Sequence, residues 1–239
     1  MKIIGVIPAR FGSTRFPGKP LAELKGKKIL QWVVEGARQS KYLSQLIVAT
    51  DDSRIFDFCK KINVDVVMTS NECATGTDRI FEATKDLDFD RVINIQGDEP
   101  LISKEYIDPL ALAFTEDPSL LMATLAHPFR AEDLNNKNAV KVITNYNGDA
   151  IYFSRFDIPF SRESFTESTV QKHIGLYGFS KDFLGKFCAA KQAKIEIAES
   201  LEQLRALYLG VRIKILSVEK PTYGVDTPED LLKLEALLN

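Results

Sequence analysis

MKIIGVIPARFGSTRFPGKPL, residues 1–21, opens on an apolar run at 3–7 and passes directly into a loop carrying Arg10, Arg15 and Lys19 among Gly12, Ser13 and Gly18. Apolar runs of the same kind recur at 46–50, 65–68 and 91–95, and the stretches between them, near 29–40, 53–62 and 78–87, read as helices. The runs are β-branched and nearly continuous in apolar character, as strands buried on both faces are. This alternation defines an α/β protein, a mostly parallel sheet with helices on both faces. Such sheets bind ligands at the carboxyl ends of their strands, so chemistry is expected in the loops after residues 7 and 95.

The middle of the chain is richer in strands, at 121–125, 139–144, 151–154 and 175–179, with a polar loop at 161–169. This points to a smaller β-rich lobe within about 130–190, suited to substrate closure or dimerisation. A helix is expected over 195–208 with Ile197, Leu201, Leu204 and Tyr208 as one apolar stripe. A strand at 213–218 follows, and Thr227-Pro228-Glu229-Asp230 supplies the cap and first turn of a last helix.

At 239 residues the chain suits one α/β domain with or without that lobe, and 45% hydrophobic residues support a buried core. Thirty-one basic against 33 acidic residues leave a charge of −2, which favours neither nucleic acid nor a membrane surface. Three scattered cysteines and two histidines argue against a disulfide framework and structural zinc. The first apolar run is too short for a signal peptide and no stretch is long enough for a membrane span, so a cytoplasmic protein with reduced thiols is expected.

Glycines in the 8–21 loop let backbone N–H groups approach an oxyanion, while Arg10, Arg15 and Lys19 neutralise charge. A cation about 4 Å from a phosphate charge contributes roughly 4 kcal/mol before desolvation at an effective dielectric near 20. Three together can hold a triphosphate and steady the charge on departing pyrophosphate. The loop is neither a P-loop nor a dinucleotide fingerprint. An ordinary solvated loop has the same charge spacing; position at the end of a central strand favours function.

Asp98 lies in Gln96-Gly97-Asp98-Glu99-Pro100 beyond the 91–95 strand, and Asp226 in Gly224-Val225-Asp226-Thr227-Pro228 before the last helix. Magnesium takes one or two protein carboxylates with water and phosphate oxygens. The competing readings are a turn residue at Asp98 and a helix cap at 226–227. Cys73-Ala74-Thr75-Gly76-Thr77-Asp78-Arg79 offers small residues and hydroxyls on which a flat base can lie, or merely a helix entry capped by a threonine. Arg155, Arg162, His173, Tyr177, Glu202 and Gln203 are polar groups on apolar elements that can match a carboxylate and a row of hydroxyls. A core histidine and the solvated face of a helix are the plain alternatives.

PARFGSTRFPGKPL, QGDEP, GVDTPEDL and the 73–79 loop together resemble the nucleotidyltransferases that make CMP-activated sugars, and most closely the CMP-Kdo synthetases (3-deoxy-manno-octulosonate cytidylyltransferases). The resemblance covers nearly the whole chain in order. It implies a single Rossmann-like nucleotidyltransferase domain over 1–239 that joins CTP to Kdo with Mg2+ for lipopolysaccharide synthesis, as a homodimer. It implies that Arg10, Arg15 and Lys19 bind and activate the triphosphate with Ser13, and that Asp98 and Asp226 hold the metal. Thr75, Gly76, Thr77 and Arg79 would contact the nucleotide, with Thr75 where the family usually has serine, its methyl narrowing the pocket. Gln96, Arg155, Arg162, His173, Tyr177, Glu202 and Gln203 would line the sugar site. The reaction implied is attack of the anomeric hydroxyl on the α-phosphorus with no covalent intermediate; no general base is legible. Activation of 8-amino-Kdo or a sialic acid, or a non-catalytic nucleotide-binding regulator, are the rival functions.

Overall fold

A computed structural model describes residues 1–130, 133–160, 162 and 169–238. The chain divides into two compact units, Met1–Ala111 with Thr222–Asn239, and Leu112–Pro221.

The first unit contains β1 (Ile3–Ala9), a 3-10 turn (Lys19–Leu21), the hairpin β2 (Glu23–Leu24) and β3 (Lys27–Lys28), α1 (Ile29–Ala37), β4 (Gln45–Thr50), α2 (Ser53–Lys61), β5 (Asp65–Met68), α3 (Gly76–Thr84) and β6 (Arg91–Asn94). α4 (Lys104–Glu116) follows, the division falling within it, and α8 (Pro228–Leu237) ends the chain. Its four long strands are parallel in the order β6-β1-β4-β5. The expected strands and helices of this half all form, with ends shifted by a few residues. α4 has no counterpart in the sequence reading; Pro109 inside it interrupts the pattern of a helix.

From β1 the chain winds outward through β4 and β5, then returns to place β6 on the other side of β1. The winding direction reverses between β1 and β6, which opens a crevice at their carboxyl ends. The loops that leave those ends are the cationic loop and Gln96-Gly97-Asp98. Close approach tightens this corner twice. A Cβ on Gly97 would meet the Pro8 carbonyl oxygen at 2.7 Å, and one on Gly36 in α1 would lie 1.9 Å from the Ile102 carbonyl oxygen. The β2–β3 hairpin turns through Lys25 and Gly26, both at positive φ, as a two-residue primed turn requires. Its Leu24 packs with Ile29, Val225 and Leu234 in an apolar cluster flanked by Phe16 and Trp32.

The second unit holds β7 (Met122–Pro128), β8 (Lys141–Thr144), β9 (Ala150–Ser154), β10 (Gln171–Ser180), α5 (Lys181–Ala189), α6 (Lys194–Glu199), α7 (Leu204–Tyr208) and β11 (Ile213–Ser217). β7 lies between parallel β11 and antiparallel β10, and β8 pairs antiparallel with both β10 and β9. Most of the loop expected at 161–169 lies outside the described residues.

The helix expected over 195–208 is corrected to two. Ser200 takes a left-handed φ of 52° and ends α6, and α7 starts anew after Gln203. The apolar stripe breaks with it: Leu201 and Leu204 are buried, whereas Ile197 and Tyr208 are exposed.

Gly36→Ala tests the packing at the crevice. Helix propensity alone predicts a gain of about 1 kcal/mol, but overpacking against the backbone at Ile102 costs typically 1–3 kcal/mol and occasionally more. Urea denaturation is expected to show a net loss of stability.

Candidate active site

The cationic loop is closed by its own backbone. The Phe11 carbonyl accepts from the N–H groups of Ser13 (3.0 Å) and Gly18 (2.9 Å). Gly18 sits at φ 72°, and a Cβ there would come within 2.9 Å of the Phe11 ring, so the position needs glycine for both reasons. The 3-10 turn beginning at Lys19 then points that ammonium at two carboxylates. Lys19 Nζ lies 2.6 Å from Asp98 Oδ2 and 3.3 Å from Asp226 Oδ1, and Arg15 reaches Asp226 Oδ2 at 3.2 Å. Lys19 is the well-shielded member; Arg10 and Arg15 stand exposed.

Asp226 is brought to Asp98 by backbone and core together. The Val225 N–H donates to the Asp98 carbonyl at 2.9 Å, and the Val225 side chain is fully buried in the Leu24 cluster. On the other side, Thr227 caps α8 in a capping box with Asp230, whose carboxylate also accepts from the Asp226 N–H. The capping alternative therefore holds for Thr227 and leaves the Asp226 side chain to face Lys19.

Arg10, Ser13, Arg15, Lys19, Thr75, Gly76, Arg79, Gln96, Asp98 and Asp226 line one cleft of about 230 Å³, with Pro8, Cys73 and Gly97 among its walls. Three expected nucleotide contacts have structural duties. Thr75 is the N-cap of α3, its hydroxyl accepting from the Asp78 N–H and donating to Asp78 Oδ2. Thr77 is fully buried and does not line the cleft. Arg79 is buried, with Nη2 donating to Asp51 Oδ2 at 2.7 Å and Nη1 to Thr69 Oγ1 at 2.6 Å. Asp51, which the sequence reading passed over, stands at the carboxyl end of β4, where the strand-end rule would have found it.

Glu99 is a third carboxyl at this corner, and its Oε2 is enclosed without a hydrogen-bond partner among the described residues. Desolvation first, and then the charge of neighbouring Asp98, push it up from 4.5 to about 7.

In the second unit, β10 carries a bulge between Ile174 and Tyr177. Thr124 fills it: its hydroxyl donates to the Leu176 carbonyl at 2.6 Å, which leaves its oxygen to accept from His173 Nε2 at 3.0 Å. The rings of His173 and Tyr177 stand 5.5 Å apart. Burial lowers His173 to about 3, so it is neutral at working pH and too weak a base to collect a proton. Tyr177 donates to Gln203 Oε1 at 3.1 Å and is held protonated by burial and by the charge of Glu202. Gln203 is 1% exposed and its Nε2 has no hydrogen-bond partner among the described residues. Arg155 spends its guanidinium on the carbonyls of Lys137, Glu199 and Ser200, while Arg162 is exposed. Arg205, in the same segment, is buried in a forked ion pair with Glu196.

A parallel sheet with a cationic, glycine-bearing loop set against two carboxylates at its switch point defines a nucleotidyltransferase. The cytidylyltransferase family profile matches residues 4–213. The 3-deoxy-manno-octulosonate cytidylyltransferase of Bdellovibrio bacteriovorus is 56% identical over 243 residues, covering 100% of this chain and 98% of the relative. That of Thermodesulfovibrio yellowstonii is 47% identical over 254 residues, covering 100% and 99%. A CMP:2-keto-3-deoxy-manno-octonic acid synthetase solved in complex with CTP matches with a TM-score of 0.94 and 39% identity, over 100% of this chain and 98% of that one. A cytidylyltransferase from Leptospira borgpetersenii, 20% identical with a TM-score of 0.67 over 99% of this chain and 86% of that one, shares the fold. The chain belongs to the cytidylyltransferase family, among relatives that are 3-deoxy-manno-octulosonate cytidylyltransferases.

Glu99 gives stability a pH dependence of definite sign. Between pH 4.5 and about 7 the folded chain keeps a proton that the unfolded chain releases, so this group's contribution falls as pH rises and is lowest above 7. Glu99→Gln is expected to melt progressively higher than wild type as pH is raised from 5 to 8; a constant difference across that range would contradict the assignment.

Proposed function

We propose that this chain transfers CMP from CTP to 3-deoxy-manno-octulosonate, Kdo, releasing pyrophosphate and supplying CMP-Kdo for lipopolysaccharide synthesis. One observation carries the reading: Arg15, Lys19, Asp98 and Asp226 meet in a single cleft. They do so in a chain that matches, along its whole length, relatives named for that reaction. The anomeric hydroxyl oxygen of Kdo bonds to the α-phosphorus, and the bond to the oxygen bridging the α- and β-phosphates breaks. Pyrophosphate leaves with that electron pair and the hydroxyl proton passes to water. Positioning and charge stabilisation supply the acceleration.

Lys19, Arg10 and Arg15 hold the triphosphate and neutralise the charge growing on pyrophosphate. The Ser13 oxygen accepts from the Phe16 N–H at 3.3 Å, which leaves its proton to donate to a phosphate. Thr75 and Gly76 form the floor for the base, with Arg79 bracing the loop from behind through Asp51.

Asp98 and Asp226 fit a hard divalent cation. They already converge on a point cation, the Lys19 ammonium, as a stand-in, and two carboxylates leave the remaining positions for water and phosphate oxygens, as magnesium prefers. Held by Asp98 and Asp226, magnesium would neutralise phosphate charge and make the sugar hydroxyl more acidic. In the second unit, Gln203 Nε2 is a buried donor that a sugar oxygen would satisfy, and His173, Tyr177 and Glu202 add polar groups suited to an acidic polyol. Nucleoside triphosphates are cytoplasmic metabolites, which favours a cytoplasmic enzyme; a homodimer is the assembly implied by the family resemblance.

Pyrophosphate release measured for each nucleoside triphosphate against Kdo, with and without magnesium, tests the reading; release with CTP only, dependent on the metal, is expected. Asp98→Asn should keep the wild-type circular dichroism spectrum and lose turnover, and near-normal release from it would reject the metal assignment. Lys19→Ala should lower kcat about 100-fold or more, the scale of losing one charge-stabilising donor, with little change in Kdo binding. Equal losses in both would contradict a triphosphate role.

A further inference from the structure

The loop that carries the cations has no regular structure between β1 and the 3-10 turn, yet its geometry is held from outside. Phe11 is the hub: its carbonyl closes the loop on Ser13 and Gly18, and its ring lies against Gly18 next to Lys19. Over that ring stands the guanidinium of Arg54 from α2, its central carbon 3.3 Å from the ring centroid. Arg54 is itself clamped. Its Nε donates to Asp52 Oδ1 at 2.9 Å and its Nη2 to Asp52 Oδ2 at 2.6 Å. Asp52 in turn is fixed as the N-cap of α2 through the Arg54 N–H.

We propose that Arg54 is a positioning residue for the triphosphate-binding loop, acting through Phe11. Three observations separate this role from the bland one of a surface ion pair. Arg54 does not line the cleft, so it is not a further phosphate-binding cation. Its charge is matched by the two-point fork to Asp52, so the pair adds a flat, rigid lid to the ring and little net charge near the phosphates. Its side chain is 58% exposed, so the core does not require it. The loop, by contrast, presents Arg10, Arg15 and Lys19 to one cleft from a segment without regular structure, and pinning Phe11 reduces the ordering that binding a triphosphate would otherwise demand. Arginine serves here where lysine would not, because the stack and the fork both use its plane.

The inference rests on the proposed function for the identity of the ligand, but not for the ordering of the loop, and the experiment separates the two. Arg54→Leu, Phe11→Leu and the double variant are compared by steady-state kinetics and by hydrogen exchange of the Ser13 and Gly18 amides without nucleotide. Asp52→Asn, which keeps a capping oxygen and breaks the charged fork, serves as a second, milder variant. Arg54→Leu is expected to raise KM for CTP roughly three- to fivefold, the fold-change an exposed cation–π contact carries, leaving KM for the acid sugar unchanged. Exchange at Gly18 should quicken, and the double variant should add nothing to Phe11→Leu. Exchange at wild-type rates in both Arg54→Leu and Asp52→Asn, or effects of Arg54→Leu and Phe11→Leu that multiply, would overturn the proposal. A wild-type enzyme inert toward CTP, with faster loop exchange in the variants, would remove the substrate reading and leave the positioning role standing.

Discussion

Asp98 and Asp226 repel each other, and the corner they share is tenable because the Lys19 ammonium lies against both. At an effective dielectric near 20, a pair of unit charges about 4 Å apart interacts by roughly 4 kcal/mol, so one cation between two carboxylates offsets a repulsion of comparable size. Glu99, next to Asp98 and with one oxygen enclosed, is raised to about 7 by burial first and by the Asp98 charge second. The same arithmetic makes the site receptive to a triphosphate with its cation: Arg10 and Arg15 stand exposed beside it, and Lys19 already bridges the carboxylates that a divalent ion would use.

The fold holds this corner by several independent means. The reversal of winding between β1 and β6 puts the cationic loop and Asp98 side by side. A backbone hydrogen bond from Val225 to Asp98 carries the second carboxylate to the first, and burial of Val225 with Leu24, Ile29 and Leu234 makes that bond part of a core. Glycine at 36 and 97 lets backbones meet where any side chain would push them apart. Phe11, pinned between Gly18 and Arg54, completes the set from the α2 side.

The central parallel strands were legible because strands covered on both faces read as apolar, β-branched runs, as at 46–50 and 92–95; β5, half-exposed at the sheet edge, showed only its valines. Asp98 and the loop cations were legible because ligand sites in these sheets follow strand ends, whereas Asp226 stood out only through the family resemblance, since the adjoining cap was the competing reading. What escaped depends on partners distant in sequence. The break at Ser200 is invisible to helical periodicity; it is fixed where Arg155 takes the carbonyls of Glu199 and Ser200. Arg54 and Phe11 lie on different elements, and nothing in either segment announces the other. Thr75 shows a different limit: the residue lines the cleft while its hydroxyl caps α3, so the functional and structural readings of that loop were never exclusive.

The most direct test of two remote carboxylates sharing one ion is spectroscopic. Manganese binding in the presence of CTP, followed by electron paramagnetic resonance, is compared among wild type, Asp98→Asn and Asp226→Asn. The account predicts that wild type takes up one ion per chain at the enzyme–CTP complex and that each single substitution abolishes it. Retention of that ion by Asp226→Asn with wild-type affinity would contradict it.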